Sequence, residues 1–77
     1  MKYTVLSFPI VENSKRITVC SIFFEELNMT LFERETKEDW ESNERVKKFN
    51  PELHQHVLDN WEEYQKVFVN FHIKEML

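Results

Sequence analysis

No glycine occurs anywhere in the 77 residues of this chain, and no alanine either. Ordinary proteins carry about 7 % Gly, so the absence constrains the backbone directly. A tight reversal that needs positive φ must be built from Asn or Asp, the residues that tolerate left-handed geometry with a Cβ. Reversals are therefore expected at the few polar breaks that hold such residues. The same bias, with Phe, Ile, Asn, Lys, Met and Tyr abundant, points to an AT-rich gene of the kind found in phages, mobile elements and low-GC bacteria.

Between the breaks, alternation dominates the first half. Across Lys2 to Val11, Tyr3 and Val5 fall on one face and Leu6, Phe8 and Ile10 on the other, which predicts a strand. Pro9 removes a ladder donor, so this strand belongs at an edge or carries a bulge. Glu12 to Lys15 is polar and contains Asn13, the natural place for a hairpin turn. Arg16 to Glu25 alternates Ile17, Val19, Ser21 and Phe23 against Thr18, Cys20, Ile22 and Phe24. Both faces are largely apolar, as in a central strand. Glu26 to Asn28 breaks the pattern, and Met29, Leu31 and Arg34 mark a third strand ending by Glu35. Ile17, Cys20, Phe24, Leu27 and Leu31 would also form a helical stripe, but the β-branched and aromatic content favours strands.

The second half changes period. Thr36 can cap a helix by accepting from the amide of Asp39, with Glu38 and Asp39 near the positive helix end. A short helix is expected over 37–49, with Glu41 to Arg45 and Glu44 to Lys48 spaced for i,i+4 ion pairs. Asn50-Pro51 stops it and starts another. Leu53, Val57, Trp61, Tyr64, Phe68 and Phe71 then form one apolar stripe, predicting a long amphipathic helix over 51–73. Residues 66–74 also alternate and could form a strand. The expected fold is a single α+β domain, 1–77: a small antiparallel sheet of two or three strands (about 2–35), then the short helix and the long one. Apolar residues at 42 % with charge at 31 % place the chain among folded proteins.

Charge is unevenly placed. Residues 25–44 hold eight carboxylates (Glu25, Glu26, Glu33, Glu35, Glu38, Asp39, Glu41, Glu44) and two cations, Arg34 and Lys37, a formal charge of −6, while the remainder carries +2. Trp40 lies inside that window, so an acidic field with an aromatic anchor forms a candidate docking surface: Glu33, Glu35, Glu38, Asp39, Trp40, Glu41 and Glu44. Trp40 could equally close the core from the inner side of its helix.

Other chemistry fares poorly. The lone Cys20 sits in an apolar run, excludes an internal disulfide and reads as a buried hydrophobe. His54 and His56, two apart on a helix, point away from one another and cannot jointly hold one ion. Glu52, His56, Asp59 and Glu63 share a stripe that a solvated helix face explains. No nucleophile motif or phosphate-cradling loop is present, no metal or cofactor is implied, and the one basic run, Arg45 to Lys48, adjoins the acidic window. No run approaches the length of a membrane span. The expectation is a non-enzymatic interaction module of the cytoplasm of a bacterial host, a small phage or mobile-element inhibitor or adaptor. Its partner is a host protein with a basic surface, even a nucleic-acid-binding one, with no direct nucleic-acid or membrane contact. The alternatives are a self-associating structural protein and, behind it, a metal-dependent regulator.

Overall fold

The computed structural model describes residues 1–76 and forms an α+β chain. Three antiparallel strands come first: β1 (Thr4–Glu12), β2 (Lys15–Phe24) and β3 (Met29–Phe32), in sheet order β1-β2-β3. Four helices follow: α1 (Lys37–Glu41), α2 (Glu44–Phe49), α3 (Pro51–Asp59) and α4 (Trp61–Met76). The chain divides into two compact units, the strands up to Arg34 and the helices from Glu35 onward.

The hairpin solves the missing-glycine problem with Asn13, as expected, and also with Ser14, which is neither Asn nor Asp; both are at positive φ (51° and 63°). Two central residues in that region define the primed turn whose twist matches the flanking strands. The second reversal uses Asn28 at φ 50°. From the turn, β1 and β2 pair in unbroken register, Glu12 opposite Lys15 through Thr4 opposite Phe23. Ser21 opposite Phe32 through Phe24 opposite Met29 fixes β3. Pro9 sits in an edge strand with no bulge, opposite Thr18. The hairpin's end pair is hydrogen-bonded and the pattern alternates. Pro9 and Thr18 are therefore a pair that exchanges no bonds, and the donor Pro9 lacks would have faced the open side of β1.

Period two distributes the side chains. Cys20, Ile22, Phe24 and Leu31 share one face and are buried. The opposite face carries Leu6, Phe8, Ile10, Ile17, Val19, Phe23 and Phe32, of which Leu6, Phe8 and Phe32 are 47 %, 40 % and 47 % exposed. Thr4 Oγ1 donates to Glu25 Oε1 at 2.6 Å, and Arg34 pairs with Glu12 across the strand ends.

Both expected helices are broken in two. The one over 37–49 stops at Glu41, because the Ser42 hydroxyl turns back to the Glu38 carbonyl (2.8 Å) and Asn43 Oδ1 caps a new helix by accepting from Val46 N (3.2 Å). Two capping residues in succession end one helix and start the next. The long helix over 51–73 breaks at Asn60 (φ −118°, ψ 27°), whose Nδ2 donates to the His56 carbonyl at 2.9 Å, and the second segment runs on to Met76. Residues 66–74 are helical. The apolar stripe survives the break: Leu53, Val57, Trp61, Tyr64 and Phe68 are buried and Phe71 is half-buried. Within this unit α3 packs against α1, α2 and α4.

Candidate functional site

Thr36 and Asp39 form a reciprocal capping box: Asp39 N donates to Thr36 Oγ1 and Thr36 N to Asp39 Oδ2, both at 3.0 Å. The backbone amide of Thr36, then its hydroxyl, hold the Asp39 carboxyl below the usual carboxylate range. This acid has a structural task.

One turn later the chain delivers Trp40 to the interior. Trp40 is 0 % exposed, so the expected aromatic anchor is a core residue and leaves the docking surface. The cause lies in α3. Trp40 Nε1 donates to the His54 carbonyl (3.1 Å), while His54 Nε2 lies 3.0 Å and 3.1 Å from the carbonyls of Trp40 and Glu41. Both are acceptors, so Nε2 carries the proton and donates. The rings stack at 6.3 Å with 14° between planes. A helix with few apolar residues is thus pinned by one large side chain and one buried histidine. The apolar stripe of α1 is thin because a single indole does the packing.

The remaining candidates fall into two groups. Glu33 belongs to the strand unit, where it is half-buried and its Oε1 accepts from Cys20 N at 2.9 Å. That bond replaces a ladder bond at the end of β3, a local structural use. Glu35 is half-buried. Glu38, Glu41 and Glu44 are exposed. The expected Glu41–Arg45 and Glu44–Lys48 ion pairs are absent among the described residues. The break at Ser42 removes the i,i+4 geometry from the first pair. Glu38 and Glu41 line a shallow depression with Ser42 and Lys47. Three of the seven candidates, Glu38, Glu41 and Glu44, therefore remain as exposed carboxylates with no ion pair among the described residues.

Three members of the histidine and acid stripe, His56, Asp59 and Glu63, make contacts within the helices. His56 Nε2 lies 2.7 Å from Tyr64 Oη, Gln55 donates to Asp59 Oδ1 at 2.8 Å, and Lys66 reaches Glu63 at 3.5 Å. Cys20 is buried, as its apolar run implies.

One feature of the strand unit escaped the sequence reading. A cleft of about 150 Å³ opens where β3 ends, lined by Phe8, Ile10, Val19, Cys20, Phe32, Glu33 and Arg34. Its signal was the length mismatch between the second and third strands, visible only once the register is known. Comparison with protein-family models, with curated proteins and with solved structures finds no match. Among the described residues no helix is long and apolar enough to cross a membrane.

Proposed function

We propose that this chain is a non-catalytic protein-binding module, an inhibitor or adaptor of phage or mobile-element type. It engages a basic surface on a bacterial host protein through Glu38, Glu41 and Glu44. The observation that carries this reading is the separation of roles within the acidic window. Asp39 and Glu33 are consumed by local hydrogen bonds, whereas these three carboxylates stand exposed with no ion pair among the described residues. Unneutralised like charges on short consecutive helices cost stability through repulsion, a cost that an opposing cationic surface offsets. The AT-rich composition and the lack of a catalytic motif support the class.

The test is affinity capture from a low-GC bacterial lysate with wild type and with the triple variant Glu38→Gln, Glu41→Gln, Glu44→Gln, leaving Asp39 intact to preserve the cap. A partner retained by wild type at low salt, lost from the variant and released as ionic strength rises supports the reading. Equal capture by both proteins, or a partner that stays bound through high salt, defeats it.

A second reading, self-association as a structural protein, has its own observation. Val69, Ile73 and Met76 recur at i, i+4 and i+7 along α4 and are 56 %, 51 % and 86 % exposed. A stable homo-oligomer in sedimentation, unaffected by the triple substitution, favours it over the acidic face.

A further inference from the structure

The register of the sheet leaves part of β2 without a neighbour. β1 covers β2 from Lys15 to Phe23, but β3 pairs only with Ser21 to Phe24. The last bonds on that side belong to Cys20, whose carbonyl accepts from Glu33 N (3.0 Å) and whose amide donates to the Glu33 side chain (2.9 Å). Both main-chain groups of Cys20 therefore face β3. In an antiparallel ladder this orientation alternates, so the amides and carbonyls of Thr18 and Arg16 face the same way. Neither residue has a main-chain partner there among the described residues, and both are exposed.

Two further observations coincide at this notch. The cleft floored by Phe8, Ile10 and Val19 opens beside it, and its volume of about 150 Å³ is of the order that admits one benzene-sized group. Lys15 and Arg16 stand exposed at the notch's outer end with no ion pair among the described residues. Free main-chain groups, one apolar recess and unneutralised cations are the three components of strand addition: ladder bonds for affinity, a pocket and a charge for selectivity.

We propose that the β2 edge at Arg16–Thr18 is a docking site for an extended segment of another protein. The segment carries an apolar side chain followed by a carboxylate. Running antiparallel to β2, its apolar residue lies opposite Ile17 on the cleft face, and the next residue places its carboxylate beside Arg16. A second copy of this chain is a poor occupant. The open side of β1 is interrupted by Pro9, and β3 offers only four residues. The site shares no residue with the acidic helical face, so either proposal can fail without the other.

The test uses the full chain, ¹⁵N-labelled, titrated to millimolar concentration with the peptide acetyl-Thr-Leu-Glu-Val-amide. Its twin is N-methylated at Thr and Glu, the two residues set opposite Thr18 and Arg16. Saturable shifts at the amides of residues 15–19 and around the cleft, at least tenfold weaker for the twin, are expected. Thr18→Pro should have the same effect as the twin. It deletes only the outward donor, because the Thr18–Pro9 pair exchanges no bonds. Equal binding of the twin, shifts centred elsewhere, no saturable shift, or a dimer formed through this edge would each overturn the proposal. The N-methylated peptide keeps the test decisive even if Thr18→Pro does not fold.

Discussion

Trp40→Phe removes the residue that joins α1 to α3 while keeping an aromatic ring, which makes it the sharpest probe of the helical unit. Two losses combine. The indole N–H bond to the His54 carbonyl contributes about 1 kcal/mol net. Truncating a fully buried Trp to Ala costs about 3–5 kcal/mol, so retaining one ring should lose roughly a third to a half of that. The sum is about 2–3 kcal/mol, against a total stability of about 4–11 kcal/mol for a chain of 77 residues. With a urea slope of roughly 1–1.5 kcal/mol/M, the midpoint should fall by about 2 M. Urea titration followed by far-UV circular dichroism, comparing Trp61→Phe with the Trp40→Phe, Trp61→Phe double variant, isolates the term. In the Trp61→Phe protein the emission of Trp40 should be blue-shifted and resist acrylamide. A midpoint change below about 0.3 M together with a freely quenched Trp40 would refute the packing and restore Trp40 to the surface.

Other outcomes follow from local geometry. The Asp39 carboxyl should titrate by NMR below 3.8. A pKa depressed in the folded state means that the cap stabilises above the unfolded value and loses its effect as pH falls through the folded one. Thr36→Val should return the midpoint toward 3.8 and soften the acid limb of the stability profile. Ser14→Gly relieves a side chain held at φ 63° and should raise stability by about 0.5–1 kcal/mol in thermal or chemical melts. A loss of stability there would contradict the primed turn. Pro9→Val restores a donor on the open side of β1 and should increase self-association in sedimentation at high concentration.

The strands were readable in the sequence because alternation, β-branching and the two Asn-containing breaks acted together. Helix existence was equally readable from the stripe beginning at Leu53. The breaks at Ser42-Asn43 and Asn60 were not, because periodicity carries across a kink: Val57, Trp61 and Tyr64 keep their spacing while the backbone between them departs from helical geometry. The signal lay in side chains that compete for backbone bonds, such as Asn43 capping Val46 and Asn60 returning to His56. Of the candidate site, charge was readable but partnership was not. Sequence counts Asp39 and Glu41 as equal acids, yet one is bound into a cap and the other faces solvent. The placement of Trp40 stayed open between surface and core for a similar reason. Stripe width estimates how many residues pack, not how much area each buries.

That distinction bears on how a chain without glycine or alanine builds surfaces. With neither glycine nor alanine, the smallest side chains are those of serine and cysteine, and large side chains do most of the spacing between neighbouring elements. The helical unit uses rings for this, Trp40 on His54 and Tyr64 against His56 at 5.7 Å. The sheet places Leu6, Phe8 and Phe32 on one face and leaves them partly exposed. The cleft beside β3 is walled by Phe8 and Phe32 and opens where that short strand ends. The recess and the exposed main chain of Arg16 and Thr18 therefore share one origin, a third strand that stops four residues after it starts. Extending β3 by replacing Arg34-Glu35 with Val-Thr should cover the edge. In the register of the sheet residue 35 lies opposite Thr18, so the Thr18 amide should then gain protection in hydrogen exchange while strand addition is weakened. Unchanged exchange at the Thr18 amide would mean that the edge is already shielded, and the docking argument would fall with it.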